Sequence, residues 1–180
     1  MATYIALLRG INVGGDRKVP MAELRELLTG LGHGRVRTHL QSGNAVFTAP
    51  DEAPETLTGK LADAIEARFG FRVSCLVLTA DRLRATAGRC PFPAEELDPA
   101  KLVVVFLDRP AAEHPLAAAD PAAYAPDVFR LGEREIFAWF PNGMGRGRLG
   151  AAVSAPGKDY TVTARNWRTV RTLLELAGEV

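Results

Sequence analysis

Apolar residues in the first half of the chain alternate between short runs of strand length and a spacing typical of helices. Gly32 and Gly70 follow the two helical segments and mark their ends. Strands are predicted at residues 4–9, 35–39, 45–49 and 71–78, and helices at residues 20–31 and 57–69. The order strand–helix–strand–strand–helix–strand is the split βαβ or ferredoxin-like pattern of an α+β protein.

The second half of the chain repeats this pattern in a weaker form. The predicted elements are strands at 101–107, 128–131 and 135–140 and a short helix at 110–119, while the connector before them holds a short helix at 80–87. Thr163 is a suitable cap for a final helix, whose apolar face contains Trp167, Val170, Leu174 and Ala177. The predicted organisation is a ferredoxin-like half at residues 1–79, a connector at 80–100 and a second, related α+β half at 101–180.

Polar and glycine residues follow the first strand and fill the turn between the second and third strands. In a ferredoxin-like sheet the strand order is 4-1-3-2, and a right-handed crossover makes the first two strands run the same way. The two loops therefore lie at one end of the sheet, where we expect a cluster of Arg9, Asn12, Lys18, Gln41, Ser42 and Asn44. Backbone N–H groups in such glycine turns can bind anions. The alternative is that these residues serve the turns alone.

Composition and charge exclude several classes of protein. At 180 residues and 47% hydrophobic residues the chain can bury a core, and its net charge of +1 argues against nucleic-acid binding by bulk charge. The start of the sequence lacks a basic segment followed by a long apolar run, so we expect a soluble, cytoplasmic protein that does not bind a membrane. Cys75 and Cys90 form no CxxC motif and the histidines are scattered, so neither a metal site nor a cofactor is expected.

Two motifs resemble ligand-binding signatures but lack their context. Residues 145–150, GRGRLG, fit G-x-G-x-x-G, yet they lie outside a βαβ unit, and a surface loop with two arginines describes them better. On one of its faces, the predicted third strand lacks the stacking aromatics of an RNA-recognition motif. Both faces of the first strand are apolar, so the second face needs to be covered by the other half of the chain or by another copy in a homodimer.

The segment TARNWRTV places a cation near the predicted start of the last helix. If Thr163 caps this helix, Arg165 lies in its first turn, where the helix dipole disfavours a positive charge by about 0.3–1 kcal/mol. Either the arginine is solvated, or an anion binds there. Arg146, Arg165 and Asn166 are therefore further candidates for ligand contacts.

Four segments carry a resemblance to a known family. They are LLRGINVGGDRKVPMAELRELL, THLQSGNAVF, WFPNGMGRGRL and TARNWRTVRTLLEL. Together they resemble the domain-of-unknown-function 1697 family of bacterial proteins. The resemblance implies a single-chain α+β protein with ferredoxin-like character and implies no activity. The segment RGRLGAAVSAPGKDYTVTARNW departs from the family, which commonly has serine and lysine there, and we expect the helix from Leu149 to be short.

Three functional hypotheses follow. The first is the binding of an anionic ligand, such as a nucleotide or nucleic-acid phosphate, by Arg9, Asn12, Gln41, Ser42 and Asn44. The second is a small-substrate enzyme that uses the same cleft, which a deep pocket with a titratable group of displaced pKa would favour. The third is a structural protein that dimerises through an uncovered sheet face. The sequence assigns no residue a catalytic role.

Overall fold

The computed structural model describes residues 1–155 and 160–180 of the chain. Its strands are β1 (Ala2–Arg9), β2 (Gly34–His39), β3 (Asn44–Ala49), β4 (Ser74–Thr79), β5 (Leu102–Leu107), β6 (Val128–Leu131), β7 (Glu135–Trp139) and β8 (Val162–Asn166). Its α-helices are α1 (Met21–Gly30), α2 (Pro54–Phe69), α3 (Ala80–Gly88), α4 (Arg148–Ser154) and α5 (Trp167–Gly178). The protein is therefore α+β, as the sequence predicts.

The first sheet has the order β2-β3-β1-β4, and all neighbouring strands are antiparallel. This is the ferredoxin-like order that the sequence predicts. Helices α1 and α2 pack on one face because their apolar residues recur at helical spacing. This core includes Tyr4, Ala6, Leu8, Leu24, Leu28, Phe47, Leu61 and Ile65. The alternate residues of β1, Ile5 and Leu7, are also fully buried, so both faces of this strand exclude water.

The second sheet has the order β6-β7-β5-β8, which matches the first sheet strand for strand. The two halves are thus related in topology, as expected. Strand β5 is buried at every position because it lies between β7 and β8. One predicted helix, at residues 110–119, is instead a pair of 3-10 turns, Ala111–Glu113 and Pro115–Ala118. Pro115 explains the break, since proline disrupts a helix interior but suits the first position of a new turn.

The end of the chain corrects the prediction for Thr163 and Arg165. Residues Val162–Asn166 form strand β8, which pairs with β5, and helix α5 begins at Trp167. The cap is Asn166, whose Oδ1 accepts a hydrogen bond of 2.9 Å from the N–H of Thr169. Arg165 is therefore not in the first turn of a helix, and the helix-dipole argument for an anion at Arg165 is wrong. The β-branched residues Val162 and Thr163 favour the strand.

The chain divides into two compact units. The first unit is Met1–Leu83 with Thr172–Val180, and the second is Arg84–Arg171. Helix α4 has seven residues and is short, as expected, while residues 156–159 of the same segment lie outside the described residues. Among the described residues, no helix is both long and apolar enough to cross a membrane.

Candidate functional site

The loop at residues 10–18 and the turn at residues 40–44 lie side by side in the first unit, and we call them the rim. The side chain of Asn12 connects them, because its Nδ2 donates a hydrogen bond of 2.7 Å to the carbonyl oxygen of Gln41. The N–H of Leu8 donates to the carbonyl oxygen of Gly43 at 2.8 Å. The sequence prediction that these two loops share one end of the sheet therefore agrees with the structure.

The close approach of the two loops requires glycine at position 43. Gly43 has a φ of +89°, a conformation that residues with a Cβ adopt at a cost. A Cβ at this position would lie 2.7 Å from both the Cβ of Leu8 and the Cδ1 of Ile11. The turn can therefore pack on the end of β1 because this residue has no side chain.

The amides of Asn12 and Asn44 are used within the protein. Asn12 Oδ1 accepts from the N–H of Val19 at 2.9 Å, and its Nδ2 donates to the carbonyl oxygen of Val19 at 2.9 Å. Asn44 is fully buried, and its Nδ2 donates to the carbonyl oxygen of His39 at 2.8 Å and to Ser42 Oγ at 3.3 Å. These contacts favour the interpretation that Asn12 and Asn44 stabilise the turns rather than bind a ligand.

The other predicted rim residues occupy more open positions. Gln41, Ser42 and Lys18 are exposed, and Arg9 is half-buried at the end of β1, where it pairs in register with Ser74. Ligand binding by the rim stays a prediction. The clearest role of the rim residues is structural, because the Asn12 side chain is hydrogen-bonded to three backbone groups.

Replacing Asn12 by glycine is expected to lower the free energy of unfolding by about 2–3 kcal/mol, because three hydrogen bonds of roughly 0.5–1.5 kcal/mol each are lost. Glycine tolerates the φ of +56° at this position, so backbone strain does not contribute. The matched control is Gln41→Ala, since Gln41 contributes its backbone oxygen to Asn12. Thermal denaturation should show a loss of about 4–12 °C for the first variant. Equal melting temperatures for both variants would contradict this role for Asn12.

The second unit contains a pocket of about 410 Å³, which we call the Arg146 pocket. This volume lies within the range of roughly 300–1,000 Å³ that is typical of small-molecule sites. One wall is the 3-10 turn Pro121–Tyr124 with the residues that lead into β6, and the other is the glycine-rich loop after β7. The lining residues are Ala123, Tyr124, Ala125, Pro126, Asp127, Asn142, Arg146, Gly147 and Arg148.

Arg148 is held in place on one wall of the Arg146 pocket. Its Nη2 donates a hydrogen bond to the carbonyl oxygen of Ala123. Its guanidinium carbon lies 5.8 Å from the ring centroid of Tyr124, within the distance of a cation–π contact. The Tyr124 ring in turn meets Phe129 edge-on at 5.8 Å. A guanidinium fixed in this way loses little conformational freedom when it binds a ligand.

Three other polar side chains of the Arg146 pocket have unused hydrogen-bonding capacity. Within residues 1–155 and 160–180, no hydrogen bond or ion pair is found for the side chains of Asp127, Asn142 and Arg146. Asn142 and Arg146 are exposed, whereas Asp127 is only 5% exposed. Burial raises the pKa of the Asp127 carboxyl above its ordinary value. The pocket thus presents one acceptor, one amide and one guanidinium to a ligand.

The remaining predicted site residues, Arg165 and Asn166, serve local structure in β8 and at the start of α5. Arg165 is 8% exposed, and its Nη1 donates to Thr163 Oγ1 and to the carbonyl oxygen of Ala164, both at 2.8 Å. Burial lowers the pKa of its guanidinium to about 10. Asn166 caps α5 through its side-chain oxygen. Of the three secondary candidates, Arg146 lines the Arg146 pocket described above.

Comparison with known proteins agrees with the fold. The model of the family described as "Protein of unknown function (DUF1697)" matches residues 1–137. The chain belongs to this family. A conserved bacterial protein from Streptococcus pneumoniae has a similar structure, with a TM-score of 0.77 and 25% sequence identity over 99% of both chains. No curated protein matches this DUF1697 chain.

The family match covers part of the candidate site. Residues 1–137 include the whole rim, together with Tyr124 and Asp127 of the Arg146 pocket. The glycine-rich loop with Asn142, Arg146 and Arg148 follows the matched segment, so the family description does not extend to it. The similarity to the streptococcal structure spans both segments, since it covers almost the whole DUF1697 chain.

No group of three or more His, Cys, Asp or Glu side chains lies close enough to hold a metal ion among the described residues. Burial raises the pKa of the Cys75 thiol to about 11. Because the thiolate is the reactive form, this cysteine is not a nucleophile at neutral pH.

Proposed function

We propose that this DUF1697 protein binds a small anionic ligand, such as the phosphate group of a nucleotide, in the Arg146 pocket. The observation that supports this proposal most strongly is the state of Arg146 itself. Its guanidinium lines the pocket and makes no ion pair or hydrogen bond within the described chain. Guanidinium groups bind phosphate and carboxylate through two parallel hydrogen bonds, which are stronger than those between neutral groups.

The charges around the Arg146 pocket also favour an anion. Arg146 and Arg148 contribute two positive charges to the lining, and Asp127 contributes at most one negative charge. Ala123 and Tyr124 already orient the guanidinium of Arg148, so the pocket wall need not rearrange when an anion binds. The exposed amide of Asn142 adds two further N–H donors on the opposite wall.

The rim supports this function less well than the pocket does. The amide groups of Asn12 and Asn44 already bond to backbone groups of the first unit. A ligand at the rim would compete with these hydrogen bonds, whereas the side chains of Arg146 and Asn142 in the pocket have no such bonds among the described residues. We therefore assign the anionic ligand to the second unit.

Replacing Arg146 by glutamine is expected to weaken the binding of a nucleoside monophosphate by about 10–100-fold, since a hydrogen bond to a charged group contributes roughly 1.5–3 kcal/mol. Calorimetric titration at low salt measures this change. The matched control is Arg171→Gln, because Arg171 is exposed on α5 outside the pocket lining. No saturable binding to the unmodified protein, or equal affinity in both variants, would remove the proposal. Loss of binding in Arg9→Ala instead would return the site to the rim.

A second candidate function is catalysis in the same pocket. It is favoured by Asp127, whose carboxyl has a raised pKa and lines the same pocket as the two arginines, since such a group suits a general acid or base. An enzyme would release a changed product from a bound nucleotide. Chromatography of the nucleotide after prolonged incubation with the protein distinguishes this candidate from simple binding.

A further inference from the structure

We infer that the ligand of the Arg146 pocket is a nucleotide whose base offers two adjacent N–H donors, as guanine does, and that the Asp127 carboxylate accepts both of them. This inference rests on the proposed function and adds to it the class of ligand. Arg146 then binds the phosphate, and Asp127 selects the base.

The open carboxylate of Asp127 is the observation that favours a hydrogen-bond donor in the ligand. Asp127 is 5% exposed and lines the pocket. Its carboxylate makes no hydrogen bond or ion pair with the described residues. The Asp127 residue is thus largely buried, while its carboxylate oxygens remain open to the pocket and can accept hydrogen bonds from a ligand. A phosphate cannot be the missing partner because it carries the same charge sign. A ligand group that contacts this carboxylate must therefore be a hydrogen-bond donor, either N–H or O–H.

The geometry of a carboxylate decides which donor fits best. An ionised carboxylate is purely an acceptor, and its two oxygens lie side by side. The guanine edge carries N1–H and the 2-amino group next to each other, so it can donate two parallel hydrogen bonds. Hypoxanthine lacks the 2-amino group, and the adenine edge offers one amino group beside an acceptor. Guanine is therefore the purine that satisfies both oxygens of Asp127.

Gly147 shows how closely the glycine-rich loop approaches this carboxylate. A Cβ at Gly147 would lie 2.2 Å from Asp127 Oδ2. The φ of Gly147 is −130°, which any residue can adopt, so the backbone conformation does not require glycine here. The close position of the Asp127 carboxylate does require it. The residue before Gly147 is Arg146, so the proposed phosphate and base contacts lie on one continuous stretch of pocket lining.

Asp127→Asn is expected to stabilise the protein at neutral pH while it impairs recognition of the base. Because the pKa of Asp127 is higher in the folded state, folding is favoured when this carboxyl is protonated, and stability is lost as pH rises through the raised pKa. The asparagine variant should melt at a higher temperature than the unmodified protein at pH 7. The difference should vanish below the ordinary carboxyl pKa of about 4. A lower melting temperature at pH 7 would show that the carboxylate has a stabilising partner.

The test compares GMP, IMP, AMP and inorganic phosphate by calorimetric titration. We expect GMP to bind at least about 10-fold more tightly than AMP, with IMP between them, since hydrogen bonds to a charged group are the strong ones. Asp127→Asn should remove the preference for GMP and leave the affinity for AMP and phosphate unchanged or higher. Gly147→Ala should reduce the preference too, whereas Gly145→Ala should not, because its added Cβ meets nothing within 4 Å.

The outcomes separate this inference from the proposed function. Equal affinities for GMP and AMP, both lost in Arg146→Gln, would overturn the role of Asp127 in selecting the base and leave anion binding intact. A preference for GMP that persists in Asp127→Asn would overturn the inference in the same way. If none of the four compounds binds at low salt, the proposed function fails, and the inference fails with it.

Discussion

Gly43→Ala is expected to destabilise the protein by about 3 kcal/mol, which corresponds to a loss of roughly 6–12 °C in melting temperature. Two costs contribute. A residue with a Cβ pays about 1–2 kcal/mol for the left-handed conformation that the φ of +89° imposes. The new Cβ would also lie 2.7 Å from Leu8 and Ile11, and such overpacking typically costs about 1–3 kcal/mol. Urea and thermal denaturation measure the combined effect.

Gly10→Ala is the matched control for this experiment. Gly10 has a similar φ of +69°, but a Cβ there would meet nothing within 4 Å. It should therefore cost the backbone strain alone, about 1–2 kcal/mol. If both alanine variants lose the same stability, then the turn at residues 40–44 does not pack on the end of β1 as described.

Gly150→Ala is expected to lower the free energy of unfolding by about 2–3 kcal/mol, although alanine is the better helix former. Alanine in a helix interior normally gains about 1 kcal/mol over glycine. At Gly150, however, the Cβ would lie 2.1 Å from the carbonyl oxygen of Met144, so helix α4 and the turn Met144–Arg146 must separate. Because that turn carries Arg146, nucleotide binding should weaken together with stability.

The matched control for Gly150 is Gly59→Ala in helix α2. Gly59 is exposed, and a Cβ at this position meets nothing within 4 Å. This variant should gain about 0.5–1 kcal/mol and should not change binding. A stabilising effect at both positions would show that α4 has room for a side chain, which contradicts the close packing of the glycine-rich loop.

The fold of the first unit could be predicted from the sequence because its local signals agree with one another. The strand runs, the helical spacing and the glycines at positions 32 and 70 all point to the same elements. Strand β8 was missed because Thr163 and Asn166 are both good helix caps, and the sequence does not show which one is used. Pairing of Thr163 with Phe106 in β5, far away in the chain, decides in favour of the strand.

The candidate site was predicted less completely than the fold. Topology placed Asn12 beside the turn at residues 40–44, but it could not show that the Asn12 amide bonds to Val19 and Gln41. Arg146 was identified as a candidate from its glycine-rich loop. Asp127 carries no signal in the sequence, because its burial and its lack of a partner arise from tertiary packing around it.

The most direct measurement of the central claim is a nuclear magnetic resonance titration of the ¹⁵N-labelled protein with GMP. If the Arg146 pocket holds the ligand, saturable shifts appear at the amide groups of residues 123–127 and 142–148, and the amide groups of residues 10–18 and 40–44 do not respond. Saturable shifts at residues 10–18 and 40–44 without any at residues 142–148, or no shifts at all, would contradict the claim.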